Sequence, residues 1–588
     1  MSLPGRPKPD ADADADDGMK KGLPNYGDAA FSLFLRKAFI KGAGYTDAAL
    51  ERPVIAIADT GSDYNPCHGN APQLIDAVKR GVMLAGGLPV KFPTISIGES
   101  FAHPTSMYLR NLMSIDTEEM IRAQPMDAVV LIGGCDKTVP ALLMGAASAN
   151  VPSIMLVTGP MITGEHHGER LGACTDCRRF WARFRAGEIS EQEIGEVNAR
   201  LAPSAGTCMV MGTASTMALC TEALGMMLPG GACTPAVMAD RMRHAEASGA
   251  RAVGLAKERL TPDRIMTPEA FENALRVLLA VGGSTNAIVH LTAMAGRLGI
   301  EVDLEAFDRM GLETPVLVDL KPTGQHYMDD LEKAGGLATI LRELKSQLNG
   351  KALTVTGKSL AENYAAVPPA WKQDVVRPFK DPIFKGGSIA FLRGNLAPGG
   401  AIIKQAAASP KLMQHTGRAV VFESLADLAD RIDDPQLDVA ADDILVMKNA
   451  GPRGAPGMPE AGYIPIPKKL AQKGVKDMVR ISDARMSGTA FGAIVLHVTP
   501  ESAAGGPLAL VKDGDRICLD VPARTLNLLV PEAELNARRK KWKKPPLRPE
   551  DKRGYRKLFI DTVTQADRGC DFDFCVPEAT ARVPRAKR

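Results

Sequence analysis

The chain has 588 residues, 45% hydrophobic and 24% charged, the composition of a soluble globular protein with room for three or four domains or two large ones. A net charge of +3, from 71 basic and 68 acidic residues, is too small to argue for nucleic acid or a membrane surface as partner. Ten cysteines are too few for a disulfide scaffold of this length, and no secretory leader or run of about 18 apolar residues is seen, so a reducing cytoplasm without membrane association is expected.

Residues 1–28 are rich in Pro and Asp (DADADADD) and carry little to bury, which reads as a disordered tail. The pattern turns globular near Phe31. Pro53–Ala58 (PVIAIA) reads as a strand running into the loop TGSDYNPCHGN, and apolar spacing predicts a helix over Gln73–Ala85. A strand over Val90–Ile97 ends in a turn holding Gly98 and Glu99. Val129–Ile132 lead into Gly-Gly-Cys135-Asp136-Lys137, and small and apolar residues follow from Pro140 to Ala149. That is a buried strand, a tight turn and a helix start, with free N–H groups beside a thiol, a carboxylate and an amine. Ser153–Val157 adds another strand, closed by TGPM. Strands alternating with helices predict a parallel sheet covered on both faces, with ligands held by loops at the strands' C-terminal ends. Cys67, Glu99 and Cys135 all fall at such ends.

Glu191–Arg200, Ala236–Leu260 and Pro268–Leu298 read as helices, the last interrupted by GGSTN at Gly282–Asn286. Residues 345–380 are polar and punctuated by Pro, a crossover between domains. Beyond them Ile389–Leu392, Ala419–Phe422, Ile444–Lys448, Ala493–Val498, Arg516–Leu519 and Leu526–Val530 are short β-rich pieces between Gly, Pro and Asp turns. The expected fold is α/β, with a parallel-sheet domain over residues 29–380 and a mostly β, barrel-like domain over 381–588. Arg538–Lys557 is strongly basic, with Trp542 and Tyr555 interleaved. It reads as an RNA patch or as solvated surface, and in a nearly neutral chain the second reading is preferred.

Cys67, Cys135 and Cys208 sit among Gly, Pro, Thr and Asn, loop surroundings from which thiolates can converge on one centre, whereas Cys220 and Cys518 lie in apolar or strand-like runs and read as core. The local CxxC of Cys174 and Cys177 (GACTDCRRFW) is a zinc or redox signal or two incidental thiols; Cys570 and Cys575 repeat the pattern more weakly. Glu99, Asp136 and Glu460 lie in glycine-rich turns, where carboxylates hold a hard cation such as Mg²⁺ or act as solvated turn acids and caps. Lys137 is a salt-bridge partner as an ammonium, or a ligand if its amine adds CO₂ to form a carbamate. Ser487, in SDARMSG before Thr489, sits in a Gly-flanked turn suited to a nucleophile or base, and no GxSxG elbow points to hydrolysis.

Taken together, CDKTVPALLMGAASANVPSIMLVTGPM, GACTDCRRFW, GTCMVMGTASTMALCTEALGMMLPG, VGGSTNAIVHL and SDARMSGTAFGAIVLHVTPE resemble the dihydroxy-acid dehydratase/phosphogluconate dehydratase family from about residue 30 to the C-terminal region. GTASTM and SDARMSG are similar to its sugar-acid (aldonate) branch; the amino-acid-biosynthetic branch reads closer to TANTM and TDGRFSG. The resemblance implies an iron–sulfur cluster on Cys67, Cys135 and Cys208, 2Fe–2S as in the sugar-acid branch, with 4Fe–4S as the alternative. It implies Mg²⁺ on Glu99, Asp136, Glu460 and a carbamylated Lys137, with Ser487 as base. Thr489 and His497 are near-site residues, and Cys174 and Cys177 match the family motif TDCRR outside the ligand positions.

The implied activity is that of a lyase that dehydrates a 2,3-dihydroxy carboxylate, a sugar acid such as a pentonate or hexonate, to the 2-oxo-3-deoxy acid. Alternatives are a dihydroxy-acid dehydratase of branched-chain amino-acid synthesis and, more distantly, a nucleotide-binding transferase or a zinc-stabilised RNA-binding scaffold. The transferase reading lacks a GxxxxGK[ST] phosphate loop at the Cys135 turn. Family members are homodimers or tetramers, so a homo-oligomer acting on a small molecule, without nucleic acid, is expected. The site belongs between the domains, where His166, His167, Arg170 and Arg178 are unranked candidates for substrate choice.

Overall fold

The computed structural model describes residues 17–584. Four parallel strands, β1 (Val54–Asp59), β2 (Leu88–Pro93), β3 (Ala128–Gly133) and β4 (Ser153–Val157), pair in the order β2-β1-β3-β4. Every residue of β3 and β4 is buried, which is why AVVLIG and SIMLV are continuously apolar rather than alternating. The edge strand β2 tolerates Pro89 and Pro93, and it ends before the predicted Ile97 because the Asp116 carboxylate accepts the Ile95 N–H at 3.0 Å.

Helices α1 (Ala71–Leu84), α2 (Ser106–Ala123) and α3 (Thr138–Ala149) connect the strands; α4 (Thr175–Ala186), α5 (Thr213–Ala223), α6 (Ala239–Glu258), α7 (Pro268–Ala280) and α8 (Asn286–Gly296) follow. A Cβ on Gly81 would stand 1.9 Å from the Glu246 carbonyl oxygen, so α1 and α6 touch backbone to backbone there. GGSTN separates α7 from α8, and both are buried almost all round, forming a helical layer behind the sheet.

The predicted tail differs from the structure at its inner end. Residues 1–16 lie outside the described ones, but Met19 is buried, the Gly18 N–H donates to Asp127 at 2.9 Å, and Arg36 donates to the carbonyls of Met19 and Lys21 at 2.9 and 2.7 Å. One apolar anchor beside an Asp-rich run is invisible to composition. Within the predicted polar crossover, Leu360–Ala366 forms a short helix opened by a Ser359/Glu362 capping box.

The second sheet has eight strands: β5 (Ala390–Leu392), β6 (Gly400–Ile403), β7 (Gln414–Phe422), β8 (Ile444–Met447), β9 (Arg480–Ser482), β10 (Ile494–Thr499), β11 (Arg516–Asp520) and β12 (Thr525–Leu528). Their order is β12-β11-β7-β8-β9-β10-β6-β5, with β7 to β10 parallel and the flanks antiparallel. The edges meet just beyond β5, where the Arg393 N–H donates to Arg524 O at 2.9 Å and the Leu526 N–H to Arg393 O at 2.8 Å, which all but closes a barrel. Ala419, Val421, Ile444 and Val446 pack with Ile517 and Leu519 on one face, while Val420, Phe422, Leu445 and Met447 form a separate cluster on the other.

The chain's end returns to the first domain. Asp571 accepts from Arg297 at 2.6 and 3.0 Å, both side chains fully buried, and Ala581–Val583 pairs with Ile300–Val302. The basic segment is anchored by its aromatics: Trp542 packs over Gly505, and the Tyr555 hydroxyl donates to Tyr108 O at 2.8 Å. Neither ring is left as a free stacking surface. No helix among the described residues is long and apolar enough to cross a membrane.

His68 ties the loop after β1 to the loop after β3. Its Nε2 accepts from the N–H groups of Gly134 (2.9 Å) and Cys135 (3.1 Å), so the proton sits on Nδ1, which donates to Thr60 O at 2.9 Å. Burial lowers the ring's pKa to about 4, from an ordinary 6.5. The neutral ring's contribution to stability is therefore complete above pH 6.5 and is lost as pH falls through about 4. His68→Phe keeps an aromatic ring but leaves two buried N–H groups unpaired, with an expected loss of about 2–5 kcal/mol in denaturant unfolding. The variant's stability should also fall less steeply between pH 6.5 and pH 4 than the parent's. Unchanged stability with an unchanged acid limb would show that another contact holds the turn.

Candidate active site and metal-ligating residues

The loops at the C-terminal edge of the parallel sheet face loops from the corresponding end of the barrel's parallel strands. On the first side, the short 3-10 turn Pro66–His68 after β1 carries Cys67, the turn after β2 carries Glu99, and the turn after β3 carries Cys135, Asp136 and Lys137. Gly134 lets that last turn lie against the end of β4, since a Cβ there would stand 1.8 Å from Thr158 Oγ1. Cys208 arrives just ahead of α5. On the barrel side, the β8–β9 connection carries Glu460 and the β9–β10 connection carries Ser487 and Thr489. These two connections are zipped together, the Gly462 N–H donating to Arg485 O at 2.8 Å and the Arg485 N–H to Pro459 O at 3.3 Å.

Carboxylate oxygens of Glu99, Asp136 and Glu460 lie within 4.8 Å of one another. The Lys137 amine, fully buried, sits among them at 2.7 Å from Glu99, 3.1 Å from Glu460 and 3.4 Å from Asp136. Glu460 also accepts from Arg485 Nη1 at 3.0 Å and Asn286 Nδ2 at 2.7 Å, and Ser106 donates to Glu99. Burial opposes charge on Asp136, Lys137 and Glu460. At Asp136 burial prevails, and with the like charges of Glu99 and Glu460 it raises the pKa. At Glu460 the cations of Lys137 and Arg485 overcome burial and hold the carboxyl ionised; at Lys137 the carboxylates of Glu460 and Glu99 overcome it and hold the amine charged. This is an all-oxygen donor set gathered round a positive centre, the chemistry of a hard divalent cation.

Beside it lies a cluster of sulfurs. The Cys135 thiol next to Cys67, reinforced by burial, pushes the Cys67 thiol well above its ordinary range, and Cys208 is near both. Cys174 joins them, its Sγ 3.3 Å from Cys208 Sγ. Cys174, outside the ligand positions that the resemblance implies, thus comes to lie against one of them. It opens α4 with φ 75°, an unusual backbone for a residue with a side chain. The Cys177 thiol stays beside that of Cys174 and donates to Cys174 O at 2.9 Å. Clustered thiols resist ionisation until a soft cation compensates them, so this donor set suits an iron–sulfur centre and not magnesium. Cys220 is buried and donates to Ala274 O at 3.5 Å, and Cys570 lies against Met458, so these serve as core.

Ser487 Oγ and Thr489 Oγ1 are 2.7 Å apart and buried. Their turn fits under the helical layer, where a Cβ on Gly488 would stand 2.6 Å from Ser284 Oγ. Lys404, fully buried and lowered by that burial to about 7, donates to Gly488 O at 3.4 Å, and Thr175 Oγ1 donates to Thr489 O at 3.2 Å. Ser284 Oγ is 2.8 Å from Thr213 Oγ1, which accepts from Asn286 Nδ2 at 3.2 Å, and Asn286 reaches Glu460. GTASTM and GGSTN therefore link the serine turn to the carboxylates. Asn286, Arg485 and Lys404 were not legible as site residues, because each matters only through partners distant in sequence. His497 is buried, its pKa lowered to about 3 by burial and then by Arg485, and its Nε2 has no hydrogen-bond partner among the described residues.

Comparison with known proteins gives the same family over both halves of the chain. The dihydroxy-acid/6-phosphogluconate dehydratase N-terminal model matches residues 52–363, and the C-terminal model of the same family matches residues 374–570. The chain is 49% identical over 560 residues to L-arabonate dehydratase of Azospirillum brasilense, covering 94% of this chain and 96% of that protein. It is 44% identical over 526 residues to 6-deoxy-6-sulfo-D-gluconate dehydratase of Pseudomonas putida, covering 89% and 90%. Identity to dihydroxy-acid dehydratase of Moorella thermoacetica is 39% over 541 residues, covering 91% and 97%. With matches of this extent across both domains, the chain belongs to the dihydroxy-acid/6-phosphogluconate dehydratase family and is a hydro-lyase.

Proposed function

We propose that this enzyme removes water from a sugar acid, a 2,3-dihydroxy carboxylate of the pentonate or hexonate class, to give the 2-oxo-3-deoxy acid. The observation that carries the reading is the meeting of an oxygen-donor cluster, a sulfur-donor cluster and a buried serine hydroxyl in one cleft, with Cys135, Asp136 and Lys137 consecutive between the first two. Higher identity to proteins named for arabonate and sulfogluconate than to the dihydroxy-acid dehydratase supports a sugar acid over a branched-chain acid.

In this reading Cys67, Cys135 and Cys208 hold an iron–sulfur cluster of the 2Fe–2S type, and Glu99, Asp136 and Glu460 hold Mg²⁺ together with a carbamylated Lys137. When bound, the cluster supplies a Lewis-acidic iron for the departing 3-hydroxyl, and Mg²⁺ supplies a hard positive centre for the enolate charge that grows as C2 loses its proton. Converting the Lys137 ammonium to a carbamate replaces a cation with an anion, so four anionic groups would converge; only a multivalent cation balances such a set.

The chain's own residues then divide the work. Ser487 Oγ, ionised to the alkoxide beside the bound cation, takes the C2 proton and becomes a hydroxyl; the Thr489 hydroxyl, 2.7 Å away, donates to the alkoxide before that transfer. Lys404 and Thr175 hold the backbone of that turn from either side. Asn286 and Arg485 fix Glu460, so the acid from the barrel reaches the acids of the sheet in one geometry.

Two experiments test the reading. Anaerobically purified protein, assayed for 2-oxo acid formation on a panel of aldonates and a branched-chain dihydroxy acid, should turn over at least one aldonate and should hold roughly two irons and two sulfides per chain. Turnover confined to the branched-chain acid would sink the substrate assignment, and a colourless, fully active preparation would sink the cluster. Ser487→Ala should lose roughly 10²–10⁴-fold in kcat with iron content unchanged, the range set by removing a general base. A normal rate in that variant would move the base elsewhere.

A further inference from the structure

The four candidates for substrate choice, His166, His167, Arg170 and Arg178, are not equivalent in the fold. Arg170 is engaged, donating to Asp330 at 2.7 Å and Asp329 at 3.0 Å. His166 and His167 face one another, ring centroids 4.0 Å apart, and His167 looks towards Glu196 at 3.7 Å. Arg178 remains.

Helix α4 carries four arginines, and three have acidic partners: Arg179 with Asp176 and Glu169, Arg183 with Glu188, and Arg185 with Asp433. Among the described residues the Arg178 guanidinium forms no ion pair or hydrogen bond, and its Nε is buried without a partner. It stands 4.8 Å over the Tyr463 ring, which gives the planar group a fixed floor. Tyr463 lies three residues beyond Glu460 in the β8–β9 connection, so the guanidinium rests on the loop that brings Glu460 to the site. Arg178 also lies four residues beyond Cys174, on the same face of the helix as the residue whose thiol meets Cys208. The first turns of α4 thus place a thiol against the sulfur cluster and an uncommitted guanidinium against the loop that carries Glu460.

We propose that Arg178 binds the C1 carboxylate of the substrate. This rests on the sugar-acid reading above. The three carboxylates are taken up by the divalent cation of that reading, so a second positive group that no acidic side chain neutralises adds attraction for an anionic substrate. A guanidinium presents two parallel N–H donors to a carboxylate, and stacking on Tyr463 sets the plane in which they point. C1 adjoins C2, and the first turn of α4 meets the serine turn where Thr175 Oγ1 donates to Thr489 O at 3.2 Å, so a carboxylate held on this helix lies on the side of the site that Ser487 occupies.

Arg178→Gln and Arg178→Lys in the full-length holoenzyme test this on an aldonate that the parent turns over. The Gln variant should raise KM roughly 10–100-fold, the size expected for one charge-assisted hydrogen-bonded pair, with a smaller change in kcat and with iron and magnesium content unchanged. Lys should recover part of the loss. Calorimetric binding of the aldonate reads the same difference without turnover, whereas binding of the uncharged alditol of equal length should be indifferent to the substitution. Unchanged aldonate affinity, an equal loss for the alditol, or a loss seen with a hexonate but not with three-carbon glycerate would overturn the assignment. A fall in bound magnesium would reassign Arg178 to supporting Glu460. A parent that dehydrates no aldonate counts against the proposed function, while the calorimetric comparison still decides Arg178.

Discussion

Lys137 is fully buried at the junction of the two domains, and its amine touches carboxylates from three separate loops. Removing four charged groups from water is costly, and the arrangement persists only because each group is the others' counter-charge. The sheet turns must therefore hold Glu99, Asp136 and Lys137 within one contact distance, and the barrel must bring Glu460 to the same place. His68, Asn286 and Arg485 serve that requirement, each by hydrogen bonds that cross between chain segments. Lys137 is thus a geometric constraint as much as a candidate ligand.

Around this constraint the site separates donors by hardness. Cys135 and Asp136 are neighbours in one tight turn, yet the thiol joins a sulfur cluster and the carboxylate joins an oxygen cluster. Consecutive residues of a turn point in different directions, so a two-residue sequence can address two centres without mixing their ligands. The barrel supplies a single acid to this arrangement and, from the adjoining connection, the Ser487–Thr489 pair. The thiols and two of the three carboxylates come from one half of the chain, and Glu460 and the Ser487 hydroxyl from the other, so the arrangement is complete only when the two are packed together.

Cys174 and Arg178 give α4 an unexpected place in this scheme. A strained start aims the helix's first side chain at Cys208, and the next turn on the same face carries the one arginine of this helix without an acidic partner. The motif TDCRR thereby acquires a physical meaning: Asp176 is tied down by Lys321 and Tyr327, and that anchoring leaves its neighbours facing the cleft.

Much of this was legible from local pattern alone. Continuous apolar runs ending in Gly-rich turns specified the parallel sheet and placed Cys67, Glu99 and Cys135 at its functional edge, because burial on both faces and the free groups at strand ends are short-range properties. The β-rich second half was legible for the same reason, and so were the turns holding Glu460 and Ser487. Tertiary structure alone decided the closure of the barrel through Arg393 and Arg524, the packing of Met19, the recruitment of Cys174 to the thiols, and the isolation of Arg178 among similar arginines. Each depends on which partner a side chain meets across scores or hundreds of residues, and periodicity carries no information about contacts at that range.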